Sequence, residues 1–283
     1  MQTLLSSCGF SATIDHRGAE LVSLTGDNGR QYIWEGDPAF WGKHAPVLFP
    51  IVGTLKGNRY RYNGREYHLP RHGFARDREF TRIGHNDHEA TFALVSDDET
   101  LAAYPFAFEL HIIYSLNGSL LSVGYRILNK TDAPMLFSIG AHPAFALPGN
   151  FEDYTLGFEK SEKPVYHLLE DDLLSDRTLQ LPLTDRKLPL HYGLFANDAL
   201  VFKTIESRAL TIIHRNDPVL TVEFDGFPNL GLWTKPDAPF LCIEPWIGYA
   251  DTTRATGELS DKEGIRLLDP HGNFETKFSI KMR

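Results

Sequence analysis

The chain has 283 residues, 42% of them hydrophobic, 12% aromatic and 23% charged, which supplies a sizeable core and is not the profile of a disordered chain. Its 37 acidic and 28 basic residues give a formal net charge of -9. No run of Lys or Arg is dense enough to follow a phosphate backbone, which argues against nucleic acid as a partner. Two cysteines, Cys8 and Cys242, cannot build a disulfide framework or a zinc cluster, so reduced thiols in a cytoplasm are expected.

At the N-terminus Leu5-Ser6-Ser7-Cys8 has the form of a lipoprotein cleavage box. Neither a basic segment nor an apolar stretch of ~7–15 residues precedes it, so the match is read as chance. No window has the ~18 consecutive apolar residues of a membrane span, and no membrane association is expected. Residues 37–42 make a short helix candidate. Asn63-Gly64, between Tyr60-Arg61-Tyr62 and Arg65-Glu66-Tyr67, wants the positive φ angles of a tight hairpin turn. A β-rich run at 89–97 leads to a second short helix candidate at 98–103. Phe108, Leu110 and Ile112 then alternate with Glu109 and His111, and after Asn117-Gly118 the residues Leu121, Val123, Tyr125 and Ile127 alternate with polar ones. Segment 161–190, acidic and then basic, is the longest excursion between strands. Further β-rich runs cover 154–160, 198–204, 209–215, 219–225, 230–234 and 239–244, mostly separated by turn residues. Helical periodicity is too weak for a βαβ sheet, so the fold expected is all-β, a large sandwich of two antiparallel sheets. No repeat or linker divides the chain, and residues 1–283 are expected to form one domain.

Four segments place titratable or aromatic side chains beside Gly or Pro, or at the start of a strand. In Leu69-Pro70-Arg71-His72-Gly73-Phe74-Ala75-Arg76-Asp77, a histidine among arginines fits a solvated turn as well as a binding site. In Gly140-Ala141-His142-Pro143, small residues and a stiff proline can hold an imidazole in one orientation, although a satisfied core histidine reads the same way. Leu241-Cys242-Ile243-Glu244-Pro245-Trp246 delivers a carboxylate at the end of an apolar strand. Burying it is costly unless it is used or paired, and a core arginine is the other candidate partner. Asp198 opens the run Ala199-Leu200-Val201-Phe202 and reads alone as a turn aspartate. Trp41, Trp233 and Trp246 offer flat faces for a sugar or for the core. Phosphate-loop, His-Glu-x-x-His and Gly-x-Ser-x-Gly signatures are absent. No two of the histidines noted share a ligand spacing, so no metal is expected.

The order of these segments, with Gly18-Ala19-Glu20-Leu21-Val22-Ser23-Leu24, Trp34 and Pro46-Val47-Leu48-Phe49-Pro50-Ile51-Val52-Gly53, resembles the aldose 1-epimerase family, also called galactose mutarotases, and especially its LacX-like bacterial branch. The resemblance covers nearly the whole length. It implies a large twisted β-sandwich with a sugar cleft on its open sheet face and no cofactor. It also implies Glu244 and His142 as the catalytic pair and His72 and Asp198 as sugar contacts. An arginine that often follows the Phe-Pro-Ile-Val-Gly stretch in relatives is Thr54 here, leaving Lys56, Arg71 or Arg76 to supply a cation. The reaction so implied opens the hexose ring between a base and an acid on opposite sides of the sugar. Glu244 is the base, ionised, and His142 the acid, protonated, each favoured by the other's charge, giving a pH optimum bounded by two ionisations. Two alternatives are a hexose-6-phosphate mutarotase, using Arg71, Arg76 and Lys56, and a noncatalytic sugar-binding module.

Overall fold

Strict alternation builds the central strands. In Phe108–Asn117 the residues Phe108, Leu110, Ile112, Tyr114 and Leu116 are buried, and in Leu120–Asn129 every second residue from Leu121 to Asn129 is buried. A period of two puts one apolar face of each strand on the core. The computed structural model, which describes residues 1–283, arranges such strands in two large antiparallel sheets. The nine-stranded sheet runs, edge to edge, Lys187–Pro189, Tyr154–Phe158, Ala209–His214, Asp217–Glu223, Asn273–Met282, Leu120–Asn129, Phe108–Asn117, Glu89–Val95 and Thr81–His85. The eight-stranded sheet runs Leu173–Gln180, Val165–Glu170, Leu200–Phe202, Asn229–Trp233, Phe240–Ile247, Ile139–Ala141 and Val47–Leu48, with Ala144–Ala146 also pairing on Phe240–Ile247. Smaller sheets, including Gln2–Ser7, Phe10–Asp15 and Glu20–Thr25, complete the all-β sandwich.

Strand Phe240–Ile247 is buried along its whole length, on both faces. Leu241, Ile243 and Ile247 join the main core, whereas Phe240, Cys242, Glu244 and Trp246 point to the opposite face, where Phe240, Cys242 and Trp246 belong to smaller apolar clusters. Full burial of each inward side chain is worth about 1.5–3 kcal/mol, so three of them can offset the ~1–3 kcal/mol cost of a poorly satisfied polar group on the other face. That balance lets the strand carry Glu244 into a buried position.

Three local expectations need correction. Residues 37–42 form a turn rather than a helix: Asp37 O accepts from both Phe40 N and Trp41 N, at 3.0 and 2.9 Å, and the turn stops there because Phe40 and Trp41 pack sideways on an apolar cluster. Segment 161–190 is mostly paired, with Val165–Glu170 and Leu173–Gln180 forming a hairpin. Its turn residues Asp171 and Asp172 take φ values of 50° and 65°, so two aspartates perform the task more often given to Asn-Gly. At the second expected Asn-Gly turn the break falls one residue later: Asn117 still pairs with Leu120, and Gly118 alone takes a positive φ of 52°. By contrast Asn63 and Gly64, at 50° and 74°, match the expected turn, and Asp98–Ala103 is a helix capped by Asp97 and Thr100.

Candidate active site

The outward face of strand Phe240–Ile247 and its neighbours floor a cavity of about 310 Å³ lined by Trp41, Arg71, His72, Arg76, His142, Asp198, Trp233, Lys235, Glu244 and Trp246. The seven residues singled out from sequence as catalytic or substrate-binding therefore meet in one place, although they are spread from Arg71 to Trp246. Register explains the floor: Gly140 lies opposite Trp246, and Gly231 opposite Glu244. A β-carbon on Gly140 would stand 2.6 Å from Trp246 Cδ1, and one on Gly231 would stand 2.5 Å from Trp246 Cη2. Only glycine on both flanking strands lets the indole lie across the sheet at this closeness.

Glu244 and His142 touch. His142 Nε2 lies 3.2 Å from Glu244 Oε2, out of hydrogen-bond alignment, and the two residues are 8% and 1% exposed, respectively. Trp41 stacks on the imidazole with ring centroids 4.8 Å apart and an interplanar angle of 26°, and Trp233 meets it edge-on at 5.7 Å. One face of Trp41, read from sequence as available to sugar or core, is thus occupied by His142. Burial also opposes the expected pair of ions. Burial raises the Glu244 carboxyl well above its usual range, opposed by the Arg71 charge and reinforced by that of Asp198. Burial, with help from Arg71 and Arg76, pushes His142 down to about 3. Burial thus works against the charged form of both groups. Nor do the two stand on opposite sides of the cavity, because adjacent strands bring them into contact.

His72 sits at φ 69° and Asp198 at φ 72°, left-handed conformations that cost a non-glycine residue about 1–2 kcal/mol. Both are held by their surroundings. Gly53 N donates to His72 Nδ1 at 3.0 Å, and because a neutral imidazole accepts at one nitrogen only, Nε2 carries the proton. Arg71 Nε, 3.3 Å from Nε2, is then a neighbour rather than a donor. Burial, and behind it the neighbouring Arg71 and Arg76 charges, keep His72 well below the ordinary histidine value. The segment around Gly53 is anchored by a buried ion pair: Lys262 Nζ donates to Asp251 Oδ1 at 3.0 Å, and Asp251 Oδ2 accepts from Lys56 N at 2.9 Å. Asp198 Oδ1 accepts from Ala199 N at 2.8 Å, and its Oδ2 lies 4.0 Å from Arg71 Nη2.

Of the three cations considered in place of the missing arginine, Arg71 and Arg76 line the cavity. Lys56 does not: its Nζ donates to Thr253 O at 2.8 Å, outside the cleft. Arg71 also pairs with Asp172, at 3.0 Å, on the hairpin turn described above. Sequence reading missed Lys235, whose Nζ donates to Phe40 O at 2.6 Å. Its context, Thr234-Lys235-Pro236-Asp237, reads as an ordinary turn and offers no signal.

These features define an antiparallel β-sandwich protein with a polar, indole-walled cleft on the outer face of one sheet. The family model of aldose 1-epimerase matches residues 1–263, and the chain belongs to that family. The chromosomal LacX protein of Lactococcus lactis subsp. lactis is 35% identical over 282 residues, covering 93% of each chain. The crystal structure of a galactose mutarotase related enzyme from Lactobacillus acidophilus superposes with a TM-score of 0.95 at 34% identity, covering 100% of this chain and 97% of that one. A galactose mutarotase-like protein from Lactobacillus casei gives 0.94 at 29% identity, with both chains covered completely. No helix is long and apolar enough to cross a membrane.

Proposed function

We propose that the protein is a mutarotase, an aldose 1-epimerase that interconverts the α and β anomers of a free hexose in the cavity above strand Phe240–Ile247. The observation carrying this reading is the contact of Glu244 with His142 among unsatisfied polar groups. Six buried side-chain polar atoms lack a hydrogen-bond partner, and four of them, His142 Nδ1, Glu244 Oε2, Trp246 Nε1 and Arg76 Nε, belong to residues lining this one cavity. Buried polar groups are seldom left unpaired, and such a concentration around one cavity supports a site that pairs with the hydroxyls of a ligand.

Glu244 takes the proton of the C1 hydroxyl while His142 donates one to the ring oxygen. The bond from C1 to the ring oxygen breaks, C1 becomes an aldehyde carbon, and rotation about C1–C2 followed by reversal of both transfers gives the other anomer. Both oxygens are bonded to C1, so an adjacent acid and base on one side of the ring can serve them together. The reaction needs one transferable proton on the pair, with Glu244 ionised and His142 protonated when the ring opens, and the 3.2 Å contact keeps the two groups beside the same C1. A positioned pair typically contributes ~10²–10⁴-fold per transfer. His72 and Asp198, with Arg71 and Arg76, hold hydroxyls in place, and Trp246 supplies the floor. No cofactor takes part, and the reading treats residues 1–283 as one cytoplasmic domain, supported by a main core that draws on side chains from Leu5 to Met282.

One observation favours a second reading. Arg71, Arg76 and Lys235 place three cations around the cavity against the two carboxyl groups of Asp198 and Glu244, which suits a hexose carrying a phosphate. Two-dimensional NMR exchange spectroscopy of α and β anomers decides between them. Faster exchange of galactose or glucose supports the free-hexose reading; acceleration confined to glucose 6-phosphate replaces it with the phosphosugar one; no acceleration of either removes both.

A further inference from the structure

Cys242 has no part in this chemistry and does not line the cavity, yet it is buried directly beside its catalytic pair. It precedes Glu244 by two residues on one strand, so both side chains leave the sheet on the same face. Across the ladder Ala144 pairs with Cys242, which brings His142, two residues earlier, alongside. One ligand atom from each of His142, Cys242 and Glu244 lies within 4.8 Å of the other two, and all three residues are buried. Neither His142 Nδ1 nor Glu244 Oε2 has a hydrogen-bond partner.

Imidazole nitrogen, thiolate sulfur and carboxylate oxygen together form a donor set suited to borderline-soft divalent ions, with bonds of about 2.0–2.3 Å. Side-chain movements of about 1 Å would bring donors at this spacing onto one such ion. We propose that His142, Cys242 and Glu244 form an inhibitory site for a divalent cation of the zinc type, its remaining position open to the cleft. On binding, the S–H bond breaks, a sulfur–metal bond forms and the proton leaves to solvent. Glu244 binds as carboxylate, any proton it carries leaving to solvent as well, and His142 contributes a nitrogen lone pair, with no change of oxidation state. The ion thereby occupies the acid and the base at once; this inhibitory consequence, unlike the binding itself, rests on the function proposed above. Mg²⁺, which prefers oxygen ligands and keeps its water, is refused.

The test uses the full chain with the exposed Cys8 replaced, Cys8→Ser, so that Cys242 is the remaining thiol. Co²⁺ titration should produce the near-ultraviolet thiolate-to-cobalt absorption band, which Zn²⁺ bleaches by displacement and which Cys242→Ser and Cys242→Ala both abolish. Zn²⁺ should inhibit anomer exchange reversibly with a chelator. Losing even a supporting contact to a metal ligand costs ~10–100-fold in affinity, so the Zn²⁺ needed for half inhibition should rise at least that much in Cys242→Ser, with metal-free turnover retained. Absence of the band, or Zn²⁺ inhibition unchanged in both Cys242 variants, overturns the proposal. A band in a protein without mutarotase activity upholds the site and sinks the proposed function; activity without a band does the reverse.

Discussion

Glu20 holds the loop that carries Trp41 onto His142. Its Oε1 accepts from His44 N at 2.6 Å and Ala45 N at 2.9 Å, and the His44 imidazole lies 3.7 Å away. Burial alone would raise this carboxyl, but those contacts outweigh it and leave Glu20 below the ordinary 4.5. A carboxylate depressed in the folded state contributes stability that is complete above its unfolded pKa and vanishes as pH falls through the folded value. Glu20→Gln should therefore lower the melting temperature at pH 7, and the gap to the native protein should close on acidification below 4.5. Differential scanning calorimetry across that range checks it; a gap that widens in acid contradicts the account. Residue identities at the site were legible in sequence where chemistry was unusual, as with a carboxylate ending the apolar run before Pro245. Charge states were not, because burial depends on Trp41, Trp233 and the neighbouring strands, which sequence order does not bring together. Lys235 and the placement of Cys242 were hidden for the same reason.

At the scale of the strand, the cleft floor depends on what its neighbours lack. Gly231→Ala would drive a β-carbon against Trp246, and overpacking of this kind costs about 1–3 kcal/mol. The variant should show a lower urea midpoint together with weaker sugar binding by calorimetry, because the displaced indole is also cavity wall. Reduced stability with unchanged binding would show that Trp246 does not shape the site. Strands were readable wherever alternation was strict, as in Leu120–Asn129, and the Asn63-Gly64 turn declared itself through its φ requirement. The hairpin within 161–190 was not, since its turn is Asp171-Asp172 and several outward residues of Leu173–Gln180 are exposed, leaving a weak pattern. That hairpin nevertheless sets the site's edge by bringing Asp172 to Arg71.

Across the whole molecule, the last strand is structurally central. Asn273–Met282 pairs with Leu120–Asn129 on one side and Asp217–Glu223 on the other, in the middle of the nine-stranded sheet. Removing it would expose two rows of backbone hydrogen-bonding groups and the core face of Phe278 and Ile280. A chain ending at residue 272 should fail to give the near-ultraviolet circular dichroism of a packed protein, although the family model match ends at residue 263. A truncated chain that folds and exchanges anomers would contradict this view of the sandwich as one cooperative body. The fold class was visible from the rhythm of strands alone; the strand order was not, because pairing partners such as Leu121 and Ile280 are far apart along the chain. The most direct test of the central claim compares native protein with Glu244→Gln, which keeps the side chain's size and removes its basicity. Anomer exchange by NMR should fall at least ~10²-fold while calorimetric sugar binding persists. An exchange rate equal to that of the native protein would show that Glu244 is not the base.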